Sequence, residues 1–231
     1  MGTVINVATV FLGSLLGLLI RSRISEGMKD QILNGIGLVT ILIGVQMGLK
    51  TENILIPLGG LLIGGILGYL LKIETGLENM AESLKKRFAG KNNAGFSEGF
   101  IMASLIFCVG PLTVLGSISD GISGDYQLLA VKSVLDGFTS IALTAAFGIG
   151  VMFSIASIIV IQGGFTLFAI YLSPFFSNEV IIETTAVGGI IIIGLGITIL
   201  ELRKISIANF LPAIFVTPLL VKAIIFIKQF L

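Results

Sequence analysis

The chain has 231 residues, 55% of them hydrophobic and only 12% charged, and a mean hydropathy of +1.08. A soluble domain carries about a quarter charged residues, so this chain has too little polar surface to clothe a water-soluble globule. The 14 basic and 13 acidic residues leave a net charge of +1, which argues against a nucleic-acid partner. The lack of His removes the usual neutral-pH proton carrier and commonest metal ligand, and the single Cys allows neither an internal disulfide nor a thiolate cluster.

Apolar runs of about 18 or more residues, each long enough to cross ~30 Å of hydrocarbon, recur along the whole chain. They predict an all-α, polytopic transmembrane bundle of about eight spans, at residues 3–20, 32–49, 54–71, 96–118, 128–150, 152–172, 180–200 and 207–227. The first run has no basic segment before it and no small-residue cleavage site after it, so it reads as a membrane helix and not a removable signal peptide. The fifth and sixth runs share one apolar stretch without a charged break. Seven crossings, with one of the two re-entrant, is therefore the alternative.

Between the third and fourth spans, residues 73–95 hold Glu74, Glu78 and Glu82, followed by Lys85, Lys86, Arg87 and Lys91. This order suits a helix dipole, and Leu77, Met80, Ala81 and Leu84 form one apolar stripe at helical spacing. An amphipathic connector at the membrane surface is expected. With eight spans, ten Lys and Arg fall on the side of this linker and four (Lys50, Lys132, Lys222, Lys228) on the other. The positive-inside rule then puts residues 72–95 in the cytoplasm and the N-terminus outside.

Three landmarks recur at nearly constant offset. The segment from Thr9 to Ser14 resembles that from Thr113 to Ser117, Asn34-Gly35 resembles Asp136-Gly137, and Gly59-Gly60 resembles Gly163-Gly164, at offsets of 103, 102 and 104 residues. The expected organisation is one membrane domain over residues 1–231, with repeat A at about 3–72, the linker, repeat B at about 96–173, and two added helices at about 180–228. Three spans per copy is odd, so the copies would be inverted, a construction frequent in secondary transporters. The chain's 30 Gly include small-xxx-small spacings such as Gly13 with Gly17 and Gly44 with Gly48, which let lipid-embedded helices approach closely and would suit a homodimer.

Polar residues in apolar runs are the candidates for function. Pro111, inside the fourth span, breaks or kinks a helix and frees a backbone carbonyl, and Thr113 and Ser117 can satisfy that backbone or bind a solute. Asp120 and Asp125 lie at the end of this span in Asp-Gly and Gly-Asp pairs that also read as turns or caps. Asp136 lies about two turns inside the fifth span and pairs at i, i+4 with Lys132. An ionisable residue within a span is by default a functional-site hypothesis. Asn34, its repeat counterpart, would face it across a pseudo-two-fold axis. Glu183 is a further candidate, and Asn6, Gln46, Gln162 and Asn209 either bridge helices or line a pathway. No catalytic constellation, metal site or cofactor site is expected. There is no P-loop, no His or Cys cluster for zinc, and no base for a Ser-His-Asp triad.

The residues from Gly110 to Asp125 and from Lys132 to Gly137, with Gly2 to Asn6 at the start and Asn209 to Ala213 near the end, resemble the prokaryotic membrane family that includes YdfK and YqgA. That family is a domain of unknown function described as membrane or transport proteins. The resemblance implies a prokaryotic plasma (inner) membrane and supplies neither substrate nor catalytic residue. The expected function is a small transporter or channel for an ion or small solute, with the lipid bilayer as its environment. A non-transporting scaffold or regulator is the alternative, and an intramembrane enzyme ranks last.

Overall fold

The computed structural model describes residues 1–89 and 95–228, and they form helices with no strand among them. In chain order the helices are α1 (Gly2–Arg21), α2 (Glu26–Gly48), α3 (Leu55–Leu70), α4 (Ile73–Leu84), α5 (Phe96–Val109), α6 (Pro111–Ser123), α7 (Gln127–Phe147), α8 (Ser154–Leu167), the short α9 (Ala169–Leu172), α10 (Asn178–Ile199) and α11 (Ala213–Lys228). Six segments are long and apolar enough to cross a membrane, or up to eight if each of two bent pairs is one span. The first bent pair is α3 with α4, at 55°, and the second is α5 with α6, at 59°. Side chains such as Leu12, Leu16, Leu19 and Leu62 are at least half exposed. Such apolar outer faces are stable against lipid, where every backbone group must be satisfied inside a helix.

The chain divides into two compact units. The first comprises Met1–Ile36 and Leu77–Leu172, so it contains α1, the start of α2, the end of α4, and α5 to α9. Phe96, Phe100, Phe107, Leu129, Leu143 and Ile158 are fully buried there, and the rings of Phe96 and Phe153 meet at 5.3 Å. The second comprises Gly37–Gly76 and Ser173–Leu231. Its apolar core joins Ile56, Val180 and Val221, covered by Phe176, Ile224 and Ile225.

Two breaks shape the first unit. Gly110 is extended (φ −71°, ψ 149°) and Pro111 opens α6, where its missing N–H costs nothing. The freed end of α5 is satisfied locally, because the Thr113 hydroxyl donates to the Phe107 carbonyl at 3.0 Å. The second break separates the fifth and sixth apolar runs, where the sequence has no charge to mark it. Gly148 adopts φ +88°, ψ −157°, a conformation essentially confined to glycine. α7 ends there, and a 3₁₀ turn, Ile149–Phe153, leads into α8. The segments Gln127–Phe147 and Ile149–Leu167 are each long and apolar enough to span.

Glycine sets the closest helix approaches. A Cβ at Gly17 would lie 2.6 Å from the Ile141 carbonyl oxygen in the first unit, and one at Gly44 would lie 2.6 Å from that of Gly189 in the second. Neither helix pair could keep its separation with a larger residue there.

Candidate functional site

The buried residues of α1 are Gly2, Asn6, Val10, Gly13, Ser14 and Gly17, a single stripe at three- and four-residue steps. Those of α7 include Leu129, Lys132, Ser133, Asp136, Gly137 and Ser140. The two stripes face each other: a Cβ on Gly2 would meet Leu129, one on Gly13 would meet Gly137 and Ser140, and one on Gly17 would meet Ile141 and Thr144. Residue numbers rise together along the contact, so α1 and α7 run parallel. α8 runs the other way, with Gln162 beside Asn6 and Thr166 beside Thr3. Consecutive segments α7 and α8 are therefore antiparallel, as two successive crossings must be.

Small residues on these faces bring the helices close enough for short polar side chains to touch. The Asn6 amide nitrogen donates at 2.9 Å to Asp136 Oδ2 and at 2.9 Å to Gln162 Oε1. The Lys132 ammonium donates to the same Asp136 oxygen and forms an ion pair with it. Gln162 in turn donates to the Thr3 hydroxyl at 3.3 Å. One connected polar cluster thus joins α1, α7 and α8. Asn6 and Gln162 are 0% exposed, Lys132 4% and Asp136 7%, so the ion pair is nearly stripped of solvent. Such a pair holds only with good geometry and further hydrogen bonds, which Asn6 supplies.

The cluster lies one to three turns from the end at which α1 and α7 begin. At 1.5 Å per residue, Lys132 is ~8 Å and Asp136 ~13 Å along α7 from Gln127. The position of Lys132 would let its long stem carry the ammonium out toward that end. It reaches one turn deeper instead, to Asp136. Asn6 Oδ1 is a buried acceptor with no hydrogen-bond donor among the described residues. Its orientation is set by the network, since a flipped amide would turn its oxygen onto the Asp136 carboxylate.

The other sequence candidates are placed as follows. Asp120, 8% exposed, accepts from the Gly2 N–H at 2.9 Å and from the Met1 amine at 3.0 Å, tying α6 to the start of α1. Ser117, one turn earlier on α6, is fully buried, and its hydroxyl has no hydrogen-bond partner among the described residues. Thr113 is spent on the α5 terminus. Asp125 is exposed and accepts from the Gln127 N–H at 3.1 Å, a local turn leading into α7. Asn34 is exposed on α2; the amide that meets Asp136 is that of Asn6.

In the second unit, Glu183 on α10 is 3% exposed. It accepts from the Thr51 hydroxyl at 2.6 Å, the Glu52 N–H at 2.9 Å and the Asn53 N–H at 3.1 Å, which clasps the loop before α3. Asn209 accepts from the Glu74 N–H at 3.0 Å, while Glu74 accepts from the Ala208 N–H at 2.9 Å.

The sequence marks Asn6 and Gln162 as residues that bridge helices or line a pathway, and does not single out Thr3 or Thr166. A usable signal was present, because Thr3 with Asn6 and Gln162 with Thr166 are spaced to share one helix face. Among the described residues no group of three or more His, Cys, Asp or Glu could hold a metal ion.

The family model described as "Protein of unknown function (DUF554)" matches residues 1–222. The chain is 28% identical over 226 residues to the uncharacterised membrane protein YdfK of Bacillus subtilis (strain 168), covering 95% of each chain. It is 25% identical over 217 residues to the uncharacterised protein YqgA of Escherichia coli (strain K12), covering 92% of each. No solved structure matches. With these full-length similarities and its apolar helices, the chain is an integral membrane protein and belongs to the DUF554 family of proteins of unknown function.

Proposed function

We propose that this protein is a small transporter or channel for an ion or small solute, working in a prokaryotic plasma membrane with its N-terminus outside and residues 72–95 in the cytoplasm. The observation that supports it is the cluster of Lys132, Asp136, Asn6 and Gln162. A carboxylate and an ammonium buried among apolar helices are expensive and mark solute pathways in membrane proteins, and this cluster keeps one acceptor, Asn6 Oδ1, without a donor among the described residues. In this reading the matched landmarks form an inverted repeat, and the polar cluster lies toward the outer end of the pathway.

The test is flux into proteoliposomes for monovalent cations, divalent cations and small organic acids, with and without a pH gradient. Wild type is compared with Asp136→Asn and Asp120→Asn. Flux that is lost in Asp136→Asn while the protein remains folded supports transport. No flux for any solute, with Asp136→Asn lowering only thermal stability, refutes it.

A second reading, a non-transporting scaffold or regulator, draws on how fully the remaining acids are engaged. Asp120, Glu183 and Glu74 each hold backbone N–H groups, as polar groups do when they only lock helices and loops.

A further inference from the structure

We infer that Asp136 and the amide oxygen of Asn6 form a binding site for a desolvated monovalent cation, and that the Lys132 ammonium is that cation's tethered competitor. The inference rests on the transport reading for its purpose and on the geometry of the first unit for its chemistry.

Three observations carry it. The donors and acceptors of the cluster do not balance. Asn6 Nδ2 serves two acceptors, while Asn6 Oδ1, on a side chain 0% exposed, faces no donor among the described residues. A group that completes the cluster by meeting this oxygen is a cation or carries an N–H or O–H. Next, Lys132 turns inward to Asp136 although its stem could take the charge toward the near end of α7. It can thus release the carboxylate by a change of rotamer without moving a helix. Finally, the ligand set matches one positive charge. The oxygens on offer are a single carboxylate, which already balances one ammonium, and the neutral Asn6 Oδ1, which has no donor among the described residues. Oxygen donors of this kind suit hard cations, and a divalent ion would leave an uncompensated charge in a low-dielectric span.

Exchange at this site conserves charge: the cation arrives at Asp136 as the ammonium leaves it for the membrane interface. The empty carrier never presents a bare carboxylate to the hydrocarbon, because its own lysine fills the place.

Competition makes an unusual prediction, that removing a positive residue tightens cation binding. Thermal unfolding of the full chain in detergent, followed by circular dichroism, would be measured in lithium, sodium and potassium chloride against choline chloride at equal ionic strength. At least one alkali cation should stabilise wild type over choline. Lys132→Gln should lower the half-saturating concentration of that cation about tenfold or more, because the fraction of sites held by the lysine no longer subtracts from the apparent affinity. Asp136→Asn should abolish the response. Asn6→Leu keeps the ion pair and should weaken the response, and it decides the matter if Lys132→Gln cannot be recovered folded.

An alkali response unchanged in Asn6→Leu, or no response in either wild type or Lys132→Gln, overturns the inference. Asp136-dependent flux of a neutral or anionic solute with no alkali response overturns it too, yet leaves the transport reading intact. Cation binding that Lys132→Gln tightens, in a protein that moves nothing across proteoliposomes, sustains the site and removes the transport reading.

Discussion

Replacing Asn6 with Ala tests whether the α1–α7–α8 cluster holds the first unit together. The side chain is 0% exposed and donates one hydrogen bond to the Asp136 carboxylate and one to the Gln162 amide oxygen. A hydrogen bond to a charged group contributes about 1.5–3 kcal/mol and a neutral one about 0.5–1.5, although bonds between membrane helices average nearer 0.6. The variant also deletes the unpartnered Oδ1, which returns part of the desolvation cost, roughly 1 kcal/mol. The expected net loss is about 2 kcal/mol, with most of it from the Asp136 bond. Because the chain has no Trp, unfolding in mild detergent with increasing dodecyl sulfate is best followed by far-ultraviolet circular dichroism. The double variant Asn6→Leu with Gln162→Leu should cost less than the sum of the two single changes, since both ends of one bond are then apolar. An Asn6→Ala variant within about 0.5 kcal/mol of wild type, the usual range for substitutions away from such features, would refute the reasoning and make the cluster a bystander.

Four further outcomes follow from the same geometry. Gly44→Val should force α2 from α10, since its Cβ would start 2.6 Å from the Gly189 carbonyl oxygen; the loss should exceed about 2 kcal/mol and show as a lowered unfolding midpoint. Glu183→Ala removes the acceptor of three donors on the loop before α3, of which the Asn53 N–H keeps the Thr51 hydroxyl oxygen. Hydrogen exchange at Glu52 should accelerate at least tenfold, the equivalent of about 1.4 kcal/mol of local opening. Phe175→Leu removes the ring 3.9 Å beneath the Lys222 ammonium and should cost about 0.5–1 kcal/mol, measured against Lys222→Met in a double-mutant cycle. The Glu82 carboxyl lies in the polar linker and is held below its ordinary value, chiefly by the Ser97 hydroxyl that donates to it and also by Lys85. A group lowered in this way adds stability above its unfolded value and loses it as pH falls through the folded one. Its carbon-13 NMR titration midpoint should therefore rise in Ser97→Ala.

The membrane class of this protein, its helical content and the places of most spans follow from the sequence alone. Hydrocarbon tolerates only segments whose backbone is satisfied internally, so length and apolarity suffice to recognise them. The break at Gly110–Pro111 is legible for a similarly local reason: proline cannot continue the hydrogen-bond ladder in any context. The Lys132–Asp136 pair was legible too, because i, i+4 residues on one helix meet whatever surrounds them.

The partners of that pair were settled only by tertiary structure. Asn6, Gln162 and Thr3 reach it from two other helices, and which faces of α1, α7 and α8 meet depends on how their small residues mesh over a hundred positions of sequence separation. Asn34, matched to Asp136 by sequence offset, lies exposed on α2, because similarity of local pattern does not dictate which surface a helix buries. The division between α7 and α8 likewise hangs on one backbone conformation at Gly148, which composition does not reveal. Intrahelical geometry and solvent preference are properties of short segments and can be read from them. Pairing between helices is a property of the packed chain, and it determines where the buried charge finds its partners.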